Sequence, residues 1–189
     1  NRGGFFHCCF LVLLTTTRAS PADTQLTFAS PFTDHAVLPR DQPIPCWGKA
    51  TPAREIEVSF SEQTATTTAD ANGQWKLTLD SLPGASIPTD LIASTGDETI
   101  TREDIVVGEV WICSGQSNMQ MGQQNVPEHD GLSEEGIRTL EVKRSVAFNE
   151  QASFDGSWQV AGPDSAVAFG FAHHLRKETE FPVGIIVAA

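Results

Sequence analysis

The stretch from Gly108 to Met121, GEVWICSGQSNMQM, places residue types that can do chemistry where a fold would display them. A run of strand formers, Val110 to Cys113, breaks at Gly115 into the polar cluster Gln116, Ser117 and Asn118. Ligands of open α/β sheets bind beyond the carboxyl ends of the strands, so a serine just past such a strand faces the place where reactions occur. Its hydroxyl needs a base to take its proton, normally a histidine held in one tautomer by a carboxylate. Gly115 allows a tight turn and close approach of a substrate. Taken alone, the four residues GQSN also fit an ordinary structural turn.

The histidines offer one local candidate for that base. His129, in PEHDG, follows the serine strand and is flanked by Glu128 and Asp130, although a solvated loop histidine explains it as well. His35 follows Asp34 and reads as structural, and His173 with His174 reads as part of a helix surface. Two of the four cysteines, Cys8 and Cys9, belong to the apolar start of the chain. Cys46 and Cys113 are then too few for a disulfide framework or a metal site, and no cofactor or metal is expected. Cys113 reads as a buried free thiol, with a Cys46–Cys113 bridge left open.

Charge narrows the partners. The 189 residues carry a formal net charge of −12, and no Lys/Arg cluster offers the basic face that phosphates require, so nucleic acid is excluded. The first 22 residues have the layout of a secretory signal peptide: Arg2, an apolar stretch from Phe5 to Leu14, and small residues at Ala19, Ser20 and Ala22. That stretch is too short to span a bilayer, so the expected product is secreted or periplasmic, with no membrane association after cleavage. Nothing in the sequence assigns an oligomeric state.

The elements that must position Ser117 come in two styles. Between residues 23 and 107, IEVSF and QWKLTLD alternate apolar and polar residues, and Asn72-Gly73 predicts a tight hairpin turn. Pro43, Pro45, Pro52, Pro83, Pro88 and Gly96 read as turns between short strands. These signals predict an antiparallel β-sandwich. From 108 to 189, VWICS, SVAFN (145–149) and FPVGIIVAA read as strands buried on both faces. GPDSAVAFGFAHHLRKE reads as a helix with Asp164 or Ser165 at its N-cap, Val167, Phe171 and Leu175 along one face, and Arg176 and Lys177 in its last turn. Strand, strand, helix, strand opens an α/β domain.

GEVWICSGQSNMQM resembles the nucleophile block of the sialate O-acetylesterase family, secreted carbohydrate esterases of the SGNH-hydrolase type, whose motif runs Gly-(Asp/Glu)-Val-Trp-x-Cys-Ser-Gly-Gln-Ser-Asn-Met. FTDHAVLPRDQPIPCWGKA, DANGQWKLTLDSL and GPDSAVAFGFAHHLRKETEFPVGII resemble further segments of the family in the same order, so the resemblance covers nearly all of residues 26 to 187. It implies an α+β chain: an N-terminal antiparallel β-sandwich, then the first part of an SGNH-type α/β/α (flavodoxin-like) hydrolase domain. It also implies Ser117 as nucleophile and oxyanion donor through its own N–H, with Gly115, Gln116 and Asn118 forming the turn that presents it. The implied substrate is an O-acetylated carbohydrate. Ala36 and Pro39 stand where the family usually has Met and Gln. The family's remaining oxyanion donors and its Asp-x-x-His lie further along than this sequence reaches, so the resemblance implies an N-terminal portion, inactive alone. Two rival readings are a non-catalytic carbohydrate-binding or structural module, and an esterase acting on plant polysaccharide.

Overall fold

A computed structural model describes residues 24–143, 149 and 153–188. Eight strands come first: β1 (Thr27–Phe28), β2 (Val37–Pro39), β3 (Ile44–Lys49), β4 (Glu55–Phe60), β5 (Gln63–Thr68), β6 (Gln74–Leu79), β7 (Ala85–Ser94) and β8 (Thr99–Ser114). Three short 3-10 turns lead to β9 (Ile137–Glu141), β10 (Trp158–Gln159), the helix α1 (Ala166–Thr179) and β11 (Val183–Ala188). The signal-like segment expected at 1–22 lies outside the described residues, and so do residues 145–148 of the strand expected at SVAFN.

Period-two alternation sets the faces of the first part. Ile56, Val58 and Phe60 of β4 and Trp75, Leu77 and Leu79 of β6 are buried, while the residues between them are exposed or only partly buried. Among the described residues the eleven strands fall in two sheets. One has the order β1-β3-β6, and the other runs β10-β9-β11-β8-β7-β4-β5 with β2 beside β8. Side chains from both sheets meet in one core, which holds Ile44, Cys46, Phe60, Leu79, Leu91 and Ile105.

Two local readings of this part need correction. The Asn72-Gly73 turn does not close a hairpin, because β5 pairs with β4 and β6 pairs with β3, so the turn carries the chain from one sheet to the other. Gly73 does take the positive φ expected, +74°, and the Asp70 carboxylate accepts the backbone N–H groups of Asn72 and Gln74 at 2.8 Å each. Asn-Gly encodes the bend; which strands it joins is decided by burial of the faces that follow. Pro45 and Pro88, expected in turns, lie within β3 and β7. Pro88 falls where the β7–β8 register shifts between Ala85 and Thr89, a place where a missing ladder N–H is tolerated.

β8 links the two parts. Its first half pairs antiparallel with β7 as far as Val107, and its second half pairs parallel with β11, from Glu109 with Val183 to Ser114 with Ala188. The division expected between 107 and 108 therefore lies inside one strand. Gly108 marks the changeover: a Cβ there would sit 2.0 Å from the Pro182 carbonyl oxygen, and that same carbonyl accepts the Glu109 N–H at 2.8 Å. Only glycine lets the incoming strand approach so closely.

α1 begins as read, with the Ser165 hydroxyl accepting the Ala168 N–H at 3.3 Å, and it ends with Arg176 and Lys177 in the last turn before Glu180 in a left-handed cap. Its buried face differs from the expected one. Ala166, Ala168, Phe169 and Ala172 pack with Ile137, Val183 and Ile185, while Val167 and Phe171 are 45% and 40% exposed. Small alanines bring the helix close to the sheet, which puts the bulkier stripe outside. VWIC is likewise not buried on both faces: Trp111 is 46% and Ile112 70% exposed. β11 is paired on both sides, by β8 and β9, and its neighbour β8 has no strand on its other side from 109 to 114.

Candidate active site

Ser117 opens a 3-10 turn, Ser117–Gln120, directly beyond β8, after an extended Gln116 with φ −109° and ψ −154°. The turn is closed by the Met119 N–H donating to Gln116 O at 2.8 Å. Ser117 itself is exposed. Its N–H and that of Asn118 donate to no carbonyl among the described residues.

The segment after the serine is latched to the start of α1. Gln123 N–H donates to Asp164 O at 3.0 Å, Ala166 N–H to Met121 O at 2.8 Å, and the Gln123 side-chain amide to Pro163 O at 2.7 Å. Ser165 Oγ also lies 3.2 Å from Met119 Sδ. Ser114 Oγ donates to Ala188 O at 2.6 Å, tying the ends of β8 and β11 together. The serine turn is thus fixed at the carboxyl end of the parallel strands, where the fold rule places a ligand.

A cleft of about 180 Å³ opens there, lined by Met119, Gln120, Glu141, Val142, Asp164 and Val187 among others. A neighbouring cleft of about 460 Å³ shares Glu141 and Asp164 with it. Neither carboxylate was singled out for chemistry by the sequence. Asp164 reads from the sequence as one of two candidate helix caps, and Glu141 ends β9, a strand whose residues IRTLE carry no clear apolar run.

Gly115 is not explained by packing. A Cβ there would meet only Met119 Cβ, at an ordinary 3.6 Å, and its φ lies outside the left-handed range.

No histidine is hydrogen-bonded to Ser117 among the described residues. His35 Nδ1 lies 2.6 Å from the Asp104 carboxylate, and His173 Nδ1 lies 3.2 Å from Ser133 O. The His129 ring packs edge-on against Phe169 with centroids 5.2 Å apart, and its Nδ1 is buried without a partner. It lines a different concavity, with Val126, Gly170 and Phe171. Both cysteines are free, which closes the possibility of a bridge. Burial pushes the thiol of Cys113, in the serine strand, upward and so lowers its thiolate fraction. No group of metal-ligating side chains occurs among the described residues.

No protein-family model matches the chain. The sialate O-acetylesterase of Rattus norvegicus is 27% identical over 207 residues, covering 93% of this chain and 38% of the rat protein. That of Homo sapiens is 27% identical over 172 residues, covering 76% of this chain and 32% of the human protein. A solved structure, a carbohydrate acetylesterase from Xanthomonas citri, superposes with a TM-score of 0.79 at 34% identity, covering 85% of this chain and 39% of that one. These likenesses support placing the chain with the sialate O-acetylesterases. It spans under two fifths of the length of these family members. The aligned part includes the mixed α+β fold with two sheets and one helix, as expected from the motif order.

Proposed function

We propose that this chain carries the nucleophile of a carbohydrate O-acetylesterase, with Ser117 attacking the acetyl carbonyl of an O-acetylated sugar. The observation that carries the reading is an exposed serine at the carboxyl end of a parallel strand, with two backbone N–H groups that have no carbonyl partner among the described residues, in a chain related to acetylesterases. The Ser117 oxygen adds to the carbonyl while a base takes its proton. The Ser117 and Asn118 N–H groups donate to the oxyanion, and the tetrahedral intermediate collapses to release the sugar hydroxyl. Water then attacks the acetyl-enzyme, giving acetate and restoring the serine. Gly115 and Gln116 shape the turn that admits the ester.

The base and further oxyanion donors come, in this reading, from polypeptide beyond residue 189. Residues 23–107 form the β-sandwich and 108–189 the start of the SGNH-type α/β/α domain, with export directed by residues 1–22. Whether the sugar is a sialic acid or a plant polysaccharide depends on pocket residues outside these. A non-catalytic module is the second reading, favoured by the lack of any histidine bonded to Ser117 among the described residues.

Hydrolysis of an aryl acetate separates them. The 189-residue chain is expected to turn over little, and a version extended to the length of its relatives to turn over well, since base catalysis alone contributes about 10² to 10⁴ in rate. Ser117→Ala should abolish the activity of the extended form and leave its melting temperature unchanged. Full activity in Ser117→Ala overturns the assignment, and robust activity of the short chain requires a local base.

A further inference from the structure

The outer face of the three-stranded sheet holds a concavity unconnected with the serine. It measures about 580 Å³, a size suited to a small ligand, and Trp47, Asp70, Gln74 and Lys76 line it. The strand pattern explains why these residues meet. In β3 the inward positions are Ile44, Cys46 and Gly48, so Pro45 and Trp47 face out; in β6 the inward positions are Trp75, Leu77 and Leu79, so Gln74 and Lys76 face out. Trp47 pairs across the ladder with Lys76, and Gln74 lies one alternation away on the same face.

The indole is held in place. Phe32, buried to 4% exposure, packs edge-on against it with centroids 4.8 Å apart and planes at 82°. Asp70 uses Oδ1 to accept two turn N–H groups, leaving Oδ2 without a partner among the described residues. The Gln74 amide and the Lys76 ammonium likewise make no side-chain hydrogen bond or ion pair among the described residues. A fixed aromatic surface is therefore ringed by one free acceptor, one amide and one free cationic donor.

We propose that this face binds a pyranose ring of an oligosaccharide, with the sugar's C–H face on the Trp47 indole and its hydroxyl groups donating to Asp70 and accepting from Gln74 and Lys76. The chemistry selects this occupant. An indole supplies a rigid apolar platform with little conformational entropy to lose, and a sugar is apolar on its C–H face and rich in hydroxyls at its rim. The opposed charges of Asp70 and Lys76 disfavour a phosphate, for which a carboxylate at the rim is repulsive, and a purely apolar ligand would leave all three polar groups desolvated. The site requires neither Ser117 nor an acetyl group, so it stands apart from the esterase reading.

Titration of the 189-residue chain with lactose, xylohexaose and sialyllactose, followed through the indole N–H resonances, tests it. A saturable shift of the Trp47 resonance with at least one sugar is expected. The exposed double variant Gln74→Ala/Lys76→Ala should weaken binding at least about tenfold with no change in melting temperature. Trp47→Phe should weaken it while keeping the Phe32 contact, and Ser117→Ala should leave it untouched. No saturable shift up to about 20 mM of any of these sugars overturns the proposal, as does a shift that the double variant leaves unchanged.

Discussion

The two halves that β8 joins treat their apolar residues differently. The first half spreads its buried side chains, from Leu26 to Val107, through one continuous core that both sheets share and that Leu140 and Trp158 of the second half join. The second half gathers a buried set of Ile137, Ala168, Phe169, Ala172, Val183 and Ile185 under one helix, and leaves Trp111, Ile112, Val167 and Phe171 outside. Period-two strands placed face to face bury what they point inward, whereas a parallel strand needs cover on both faces and both edges. β8 has that cover where β7 and β2 flank it and lacks it from 109 to 114, the segment that presents Ser117. The closed half is a scaffold, and the open half is where chemistry and partner contacts can be placed.

Cysteine reactivity should show the largest contrast. Cys46 lies in the shared core with its thiol pushed up to about 12 by burial, while Cys113 sits partly buried on the open stretch of β8. At pH 8 the thiolate fraction of Cys46 is lower than that of an ordinary thiol by about a thousandfold or more. Peptide mapping after alkylation of the native chain should therefore find Cys113 labelled first and Cys46 only after denaturation. Equal labelling would mean that the first half opens as readily as the second.

Core truncation asks whether the halves melt together. Phe60→Ala in the first half and Phe169→Ala in the second should each cost about 3–5 kcal/mol, since both rings are fully enclosed. A single cooperative transition, lowered by either change and read by both far-ultraviolet dichroism and tryptophan fluorescence, is expected because β8 belongs to both halves. Separate transitions in Phe169→Ala would show that the strand does not couple them.

A polar link between the halves gives a smaller, pH-dependent effect. Arg138 of β9 donates to the Asp104 carboxylate at 2.9 Å and also to its backbone carbonyl, while His35 reaches the other carboxylate oxygen. Burial acts to raise the Asp104 carboxyl, but the hydrogen bonds and positive charge of His35 and Arg138 outweigh it and hold the group below the usual carboxylate range. A depressed folded pKa contributes stability that is present above the unfolded value, near 3.9, and lost as pH falls through the folded value. Asp104→Asn should therefore destabilise the chain at neutral pH, by about 1–3 kcal/mol, with the difference shrinking below about pH 4. A difference independent of pH would place the effect in packing.

The smallest effect sharpens the comparison most directly. Ile112→Thr should change stability by no more than about 0.5 kcal/mol, because the side chain is already in water and threonine keeps the β-branched shape. A loss comparable to that of a core residue would mean the open stretch of β8 is covered in solution.

The sequence alone determined the elements whose signal is local. The β4 and β6 alternation, the Ser165 cap, the basic last turn of α1 and the serine at the end of an apolar strand all follow from neighbours a few residues apart, which is the range over which periodicity and capping act. Motif order also pointed to the family. Tertiary structure alone decided that Asn72-Gly73 crosses between sheets, that Phe169 and not Phe171 is buried, and that β8 ends with an open edge. It also brought Glu141 and Asp164 to one cleft and Trp47 beside Lys76. These outcomes depend on which surfaces meet across long stretches of chain, and a bend or an apolar stripe carries no record of the partner that will cover it.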